Sequence, residues 1–260
     1  MNKEGISHIE VILSFLIFIG FVIFALYFFS PFEGSRLIES SLAYAITEIS
    51  KNASVDLESY SIKLNPQTRS EIGKVLEIEV RDVDVNKNAR VENYLGENVP
   101  SRRELNNPNI IRIKLEDSLY GFEGDEGFAL IKFSEDIDPY SNPSLLDGNV
   151  LVPANGEELY EIGTSNRIKV VSEKRIAELK NIYERSGDDY QRLKQSFNLP
   201  NRVNFGFGIL FDNIDKIEPN ISIPKGIAVF SSSKRIEVLR NISPDKMGKI
   251  VFADFIVRVW

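Results

Sequence analysis

One carboxylate stands where a long apolar segment begins. Glu10 follows Gly5-Ile-Ser-His-Ile, and VILSFLIFIGFVIFALYFF then runs to Phe29 without another charge. A charge at the centre of a membrane helix costs about 2.5–3.5 kcal/mol on insertion scales, and less near the helix end. Glu10 sits at that end. It can snorkel to the interface, where the positive end of the helix dipole tolerates a carboxylate. An ionisable group inside a membrane segment is nevertheless a functional-site hypothesis by default, and it requires a partner.

Elsewhere the chemistry is narrowed by what is missing. The chain has no cysteine, which excludes disulfides, zinc–thiolate centres and thiol nucleophiles. Its single histidine is His8, so neither a Ser-His-Asp triad nor a histidine-built metal site can form in the rest of the chain. The net charge of −7 argues against nucleic acid, which requires a basic surface.

Two acidic groups offer oxygens to calcium: Glu135, Asp136 and Asp138 with Asp147 and Asn149, and Asp212, Asn213 and Asp215. Neither has the EF-hand spacing, and both read as solvated turns. Gly206-Phe-Gly208 lacks the third glycine and the helix of a dinucleotide loop, and reads as a strand with relieved crowding. Carboxylate pairs are abundant, but nothing singles out a glycosidase pair. The expectation is therefore a chain that is not an enzyme, with no catalytic residue, metal site or cofactor. Sequons at Asn52, Asn220 and Asn241 permit surface glycosylation.

The elements that would position Glu10 follow from periodicity. Val11–Phe29 is interrupted only by Ser14 and Gly20. At about 1.5 Å per residue it approaches the roughly 30 Å hydrocarbon thickness, and extension back to Ile6 completes the span. The run is too long for a cleaved secretory signal, and no small-x-small site follows it. Lys3 and the amino terminus place the start on the cytoplasmic side and the bulk of the chain outside.

Pro31 predicts a kink, after which Leu37, Ile38, Ser41, Leu42, Ala45, Ile46 and Ile49 form one apolar stripe. A helix is predicted from Arg36 to about Lys51. Period-two alternation then marks strands at Val75–Val85, Ile110–Leu115, Phe128–Phe133 and Ile250–Trp260. Shorter strands are predicted at Tyr60–Leu64, Arg167–Val171, Val203–Phe211, Gly226–Phe230 and Lys234–Leu239. Helical spacing returns near 172–199, with Ser172 as a cap, a stop at Gly187 and a second short helix from Asp188 or Asp189 to Pro200. Asn86–Asn109 and Glu135–Gly163 read as long loops. The fold class is α+β: a long N-terminal helix, first transmembrane and then amphipathic, followed by an antiparallel β-rich domain with a helical insertion.

The N-terminal residues resemble the class III signal peptide of type IV pilins and related proteins. A short charged leader, Met-Asn-Lys-Glu, ends in Gly5. Ile6 and Ser7 follow, Glu10 is fifth counting from Ile6, and a long apolar run comes next. His8 departs from the bacterial pattern, where Leu or Thr is usual; archaeal relatives are looser there. The resemblance covers about thirty residues. It implies a prepilin peptidase cutting between Gly5 and Ile6, and assembly with other pilin-like subunits through the helix from Ile6.

Glu10 would then meet a terminal amine. Cutting after Gly5 exposes an ammonium on Ile6 about one helical turn away, and opposite charges attract strongly at low dielectric. Between subunits such a pair also fixes axial register. The implied organisation is a leader at 1–5, a filament-core helix at 6–30, its continuation at 31–53 and an extracytoplasmic domain at 54–260. The size of that domain leans toward a minor pilin, pseudopilin or adhesive subunit. The Cys-free, Ile/Lys/Asn-rich composition leans toward an archaeal source. The residues leave two other readings open: a non-polymerising membrane-anchored binding module, and an anchored hydrolase using carboxylates.

Overall fold

The computed structural model describes residues 3–28, 32–123, 126–138, 146–153, 157–211, 215–241 and 248–260, with side chains described from residue 9 of the first helix and residue 39 of the second. The chain is α+β. Helix α1 spans Lys3–Phe28 and α2 spans Phe32–Ala53. The kink expected at Pro31 lies outside the described residues. Within α2, Leu42, Ala45, Ile49 and Ala53 are buried while Ala43, Tyr44 and Thr47 are exposed. Its last carbonyls are capped locally: Asn52 Nδ2 donates to the Glu48 carbonyl at 2.8 Å and Ser54 Oγ to the Ser50 carbonyl at 2.6 Å.

Strand β1 (Ser54–Leu64) follows α2 with no linker, six residues earlier than the alternation predicted. Val55 and Leu57 face a small core with Ile137, Val170 and Leu239, whereas Glu58 on the other face is buried as an ion. A buried carboxylate is the reason the pattern is hard to read there. The remaining strands are β2 (Val75–Glu79), β3 (Asn88–Glu92), β4 (Asn98–Val99), β5 (Ser101–Arg103), β6 (Ile110–Lys114), β7 (Tyr120–Glu123), β8 (Glu126–Ser134), β9 (Tyr160–Ser172), β10 (Phe205–Phe211), β11 (Asp215–Ile217), β12 (Phe230–Arg240) and β13 (Lys249–Val259). Helices α3 (Glu173–Arg185) and α4 (Gly187–Ser196) lie between β9 and β10.

One large sheet has the order β11-β10-β13-β12-β9-β1-β8-β3-β4, with β7 paired to β8. Its pairings are antiparallel except β9–β12, which run parallel and meet only at Val171–Val238 and Ser172–Leu239. That narrow junction divides the sheet into two flanks, each with its own core. On one flank α2, α3 and α4 cover β10, β12 and β13, burying Ile176, Leu193 and Phe197 against Phe205, Phe207, Phe255 and Val257. Each fully buried side chain of this size contributes about 1.5–3 kcal/mol relative to exposure. On the other flank a three-stranded sheet, β2-β6-β5, packs Leu76, Ile78, Ile111 and Ile113 against Ile62, Val91, Ile131 and Phe133.

Several expectations are corrected. The strand predicted over Val75–Val85 stops at Glu79, where the Val80 N–H turns to the Asn109 carbonyl and Asp82 adopts a positive φ of 63°. The loop predicted over Asn86–Asn109 contains β3, β4 and β5. Gly226–Val229 is not a strand; Gly226 has φ 82° and β12 starts at Phe230. Gly187 does not stop a helix but opens α4, because Ser186 Oγ accepts the Asp189 N–H at 3.1 Å and so caps it. Strand β9 begins at Tyr160, inside the predicted Glu135–Gly163 loop, and carries a bulge where Ser61 Oγ accepts the Thr164 N–H at 2.8 Å. A Cβ on Gly163 would stand 2.7 Å from that Oγ, so a larger residue there would displace the Ser61 hydroxyl from this bond.

Candidate functional site: the N-terminal helix and the junction behind it

Helix α1 contains a continuous apolar span, Ile9–Tyr27, of mean hydropathy 2.8 and with none of it buried against the rest of the chain. It is long and apolar enough to cross a membrane. Phe15, Phe18, Phe21, Ile23 and Leu26 are each more than half exposed. A soluble surface rarely presents so large an apolar patch, which belongs in lipid or against other protein.

Glu10 lies on this helix with its side chain exposed, flanked by exposed Ile9 and Val11. Gly5 and Ile6 lie in the first turns of α1, and the side chains of Ile6 and His8 are outside those described. Ile6 and Glu10 are four residues apart. On a helix that spacing places them on one face, about 6 Å apart along the axis. Cutting between Gly5 and Ile6 would therefore leave an ammonium within one turn of the carboxylate.

The acidic groups considered for calcium have other partners. Arg175 binds Asp136 at 2.8 Å and Glu135 at 3.1 Å, Lys174 lies 3.7 Å from Asp138, and Arg102 binds Asp147 at 3.0 Å. The Asn149 carbonyl accepts the Val75 N–H. Asp215 binds Arg240 at 2.6 Å, while Asp212 and Asn213 lie outside the described residues. No cluster of three or more carboxylates or histidines suited to a metal occurs among the described residues. Glu135, Asp138, Asp147 and Asp215 keep about half of their side-chain surface in solvent while pairing with these cations; Asp136 is largely buried. Gly206 and Gly208 lie in strand β10; a Cβ on Gly206 would meet Ile221 Cδ1 at 2.4 Å.

The sequons differ in access. Asn52 and Asn220 are exposed. Asn241 is buried: its side-chain nitrogen donates to the Asp136 carbonyl, and its Oδ1 accepts the Gly248 N–H at 3.0 Å.

Sequence reasoning missed the polar latch at the junction of the two flanks. Arg240, at the end of β12, donates from Nη2 to Glu173 Oε1 at 2.8 Å and from Nε at 3.1 Å, and stacks over the Phe211 ring at 3.9 Å. Burial opposes the Arg240 charge, but its hydrogen bonds to Glu173 and Asp215 prevail and hold its pKa above the ordinary guanidinium value. Glu173 also accepts the Asn241 N–H at 2.9 Å. Two residues along α3, Arg175 reaches the Ser54 carbonyl at 2.7 Å as well as Asp136. The first turn of α3 thus ties the starts of β1 and of the 135–138 loop to the end of β12. The only local signal was Ser172, whose Oγ accepts the Arg175 N–H and caps α3.

No protein-family model, curated protein or solved structure matches this chain. The chain's class is thus an N-terminal apolar helix followed by a mostly antiparallel β domain, an architecture compatible with that of pilin-like proteins.

Proposed function

We propose that this chain is a pilin-like structural subunit, made as a precursor, cut by a prepilin peptidase between Gly5 and Ile6, and assembled with other pilin-like subunits through the helix beginning at Ile6. The observation that carries the reading is the unburied apolar helix Ile9–Tyr27, with Glu10 at its start and one turn beyond Ile6. Before assembly the helix holds the chain in the membrane with the β domain outside. After assembly the same apolar surface packs against neighbouring helices, and Glu10 pairs with the amine of Ile6, its own or a neighbour's. The size of the β domain favours a minor pilin, pseudopilin or adhesive subunit on the cell surface. Exposed Asn52 and Asn220 are the sequons open to glycosylation.

The Glu10→Ala variant tests the pairing. It is expected to insert in the membrane as the unmodified chain does and to be absent from assembled filaments. Incorporation at the normal level would contradict a role for the carboxylate.

A further inference from the structure

We infer that a polar cavity at the α2–β1 junction is a binding site for an oxyanion that carries one proton, of the hydrogen phosphate or phosphomonoester class. The cavity, about 190 Å³, is lined by Lys51, Ser54, Val55, Asp56, Lys87, Glu135, Lys169 and Arg175. Ligand pockets for drug-sized molecules run to about 300–1,000 Å³, so this one suits a single small polyatomic group. Val55 is the one apolar side chain in the lining, which rules against an apolar ligand.

The charges define the ligand's sign. Four cations and two carboxylates face the cavity, in a chain whose net charge is −7. Arg175 is engaged by Asp136, Glu135 and the Ser54 carbonyl. Among the described residues, Lys51 and Lys169 make no ion pair. Lys87 is the fixed element. It is 7% exposed, and its Nζ spends one donor on Glu58 Oε1 at 2.9 Å. That carboxylate is shared with Arg167, so two cations lean on one anion. An ammonium has three donors, and Lys87 keeps two to offer. Three lysines thus line one small space, a charge balance that suits an oxyanion.

Asp56 and Glu135 decide which oxyanion. An ionised carboxylate only accepts hydrogen bonds. Asp56 is the register partner of Lys169 on the neighbouring strand, so the two stand at one level of the cavity wall. A sulfate or phosphodiester would set its lone pairs against those of Asp56 and Glu135. A phosphate with one O–H can donate to them instead. Repulsion of the wrong ligand is an ordinary source of specificity. The site lies beyond the C-terminal end of α2, whose 22 residues span about 33 Å from the end nearer the membrane helix.

The test is equilibrium dialysis of the full chain in detergent at about pH 7, where inorganic phosphate and its monoesters both populate the form with one O–H. Ligands at matched ionic strength are inorganic phosphate, glycerol 3-phosphate, sulfate and glycerophosphocholine, a phosphodiester. Phosphate is expected to bind at least about tenfold more tightly than sulfate or the diester, the ratio that one charge-assisted hydrogen bond supplies. Binding of glycerol 3-phosphate as well assigns the site to phosphorylated organic groups, and binding of inorganic phosphate alone assigns it to the free ion. Lys169→Gln should weaken phosphate about tenfold. Asp56→Asn, which adds a donor, should bring sulfate within about threefold of phosphate. Trp260 fluorescence reports whether each variant folds, and Lys51→Gln stands in for Lys169→Gln if that variant does not. Absence of phosphate binding, sulfate binding as tightly as phosphate, or no effect of Lys169→Gln or its replacement would overturn the assignment.

Discussion

Replacing Arg240 by Met probes the latch that joins the two flanks of the sheet. The Arg240 side chain is 7% exposed and that of Glu173 1%, so neither charge can be rehydrated without opening the fold. Arg240→Met removes both hydrogen bonds that the guanidinium gives Glu173 Oε1, while the Asn241 N–H on Oε2 stays in place. Removing one partner of a buried pair costs about 3–5 kcal/mol, because the other charge is left uncompensated. The second contact, to Asp215, adds little: Asp215 is about half exposed, and exposed pairs are worth about 0–1 kcal/mol. Methionine fills much of the space over Phe211 and limits the packing loss.

The assay is urea or thermal unfolding of the full chain in detergent, followed by its single tryptophan, Trp260, whose backbone is paired with Asn204. For a domain of this size, 3–5 kcal/mol lowers the melting temperature by about 10 °C. Asp215→Ala should cost no more than about 1 kcal/mol. Arg240→Met with Glu173→Met should recover part of the loss, by about 2 kcal/mol relative to the sum of the single changes. A loss under about 1 kcal/mol for Arg240→Met, or a double variant whose loss equals that sum, would refute the latch as a coupled buried pair.

Three further outcomes follow from the same structure. Tyr183 donates to the Phe205 carbonyl at 2.9 Å, and burial first, then the neighbouring Tyr190, pushes its phenol well above the ordinary value. A folded pKa above the unfolded one means stability is complete below about pH 10 and falls as pH rises beyond it; melting curves at about pH 9 and 11 should therefore converge for Tyr183→Phe relative to the unmodified chain, and an equal drop in both would contradict this. Ser172→Ala should cost about 1 kcal/mol by uncapping α3, whereas Ser172→Thr, which keeps the accepting hydroxyl without burying a charge beside Glu173, should lose less; equal losses in urea titrations would show that the cap is unimportant. In glycopeptide mass spectrometry of chain from a glycosylating host, Asn241 should be unoccupied when Asn52 or Asn220 is modified, and a folded chain with glycan on Asn241 would contradict its burial.

What the sequence made legible was set by how plainly each element declares its environment. The apolar span was readable because lipid demands one uniform composition over a fixed length. Strands β6, β8 and β13 were readable because one face of each is apolar. The start of β1 was obscured by Glu58, and β3 by Arg90 and Glu92, all charged and buried. Alternation assumes that charges face water, and these do not. Strands β4 and β5, two and three residues long, are too short to show a period. The latch was invisible for another reason: Glu173 and Arg240 are 67 residues apart, and each alone reads as an exposed charge on a helix start or strand end. Glu10 was legible because no other Asp, Glu, Lys or Arg lies between Gly5 and Phe29.

The N-terminal residue of the mature chain tests the central claim most directly. The chain is isolated from membranes of a cell that makes a prepilin peptidase, and its N-terminus is read by sequencing or intact mass. A chain beginning at Ile6, shorter by Met-Asn-Lys-Glu-Gly, is the predicted result. A chain that keeps Met1 through Gly5 in that cell would contradict processing, and with it the amine proposed as the partner of Glu10.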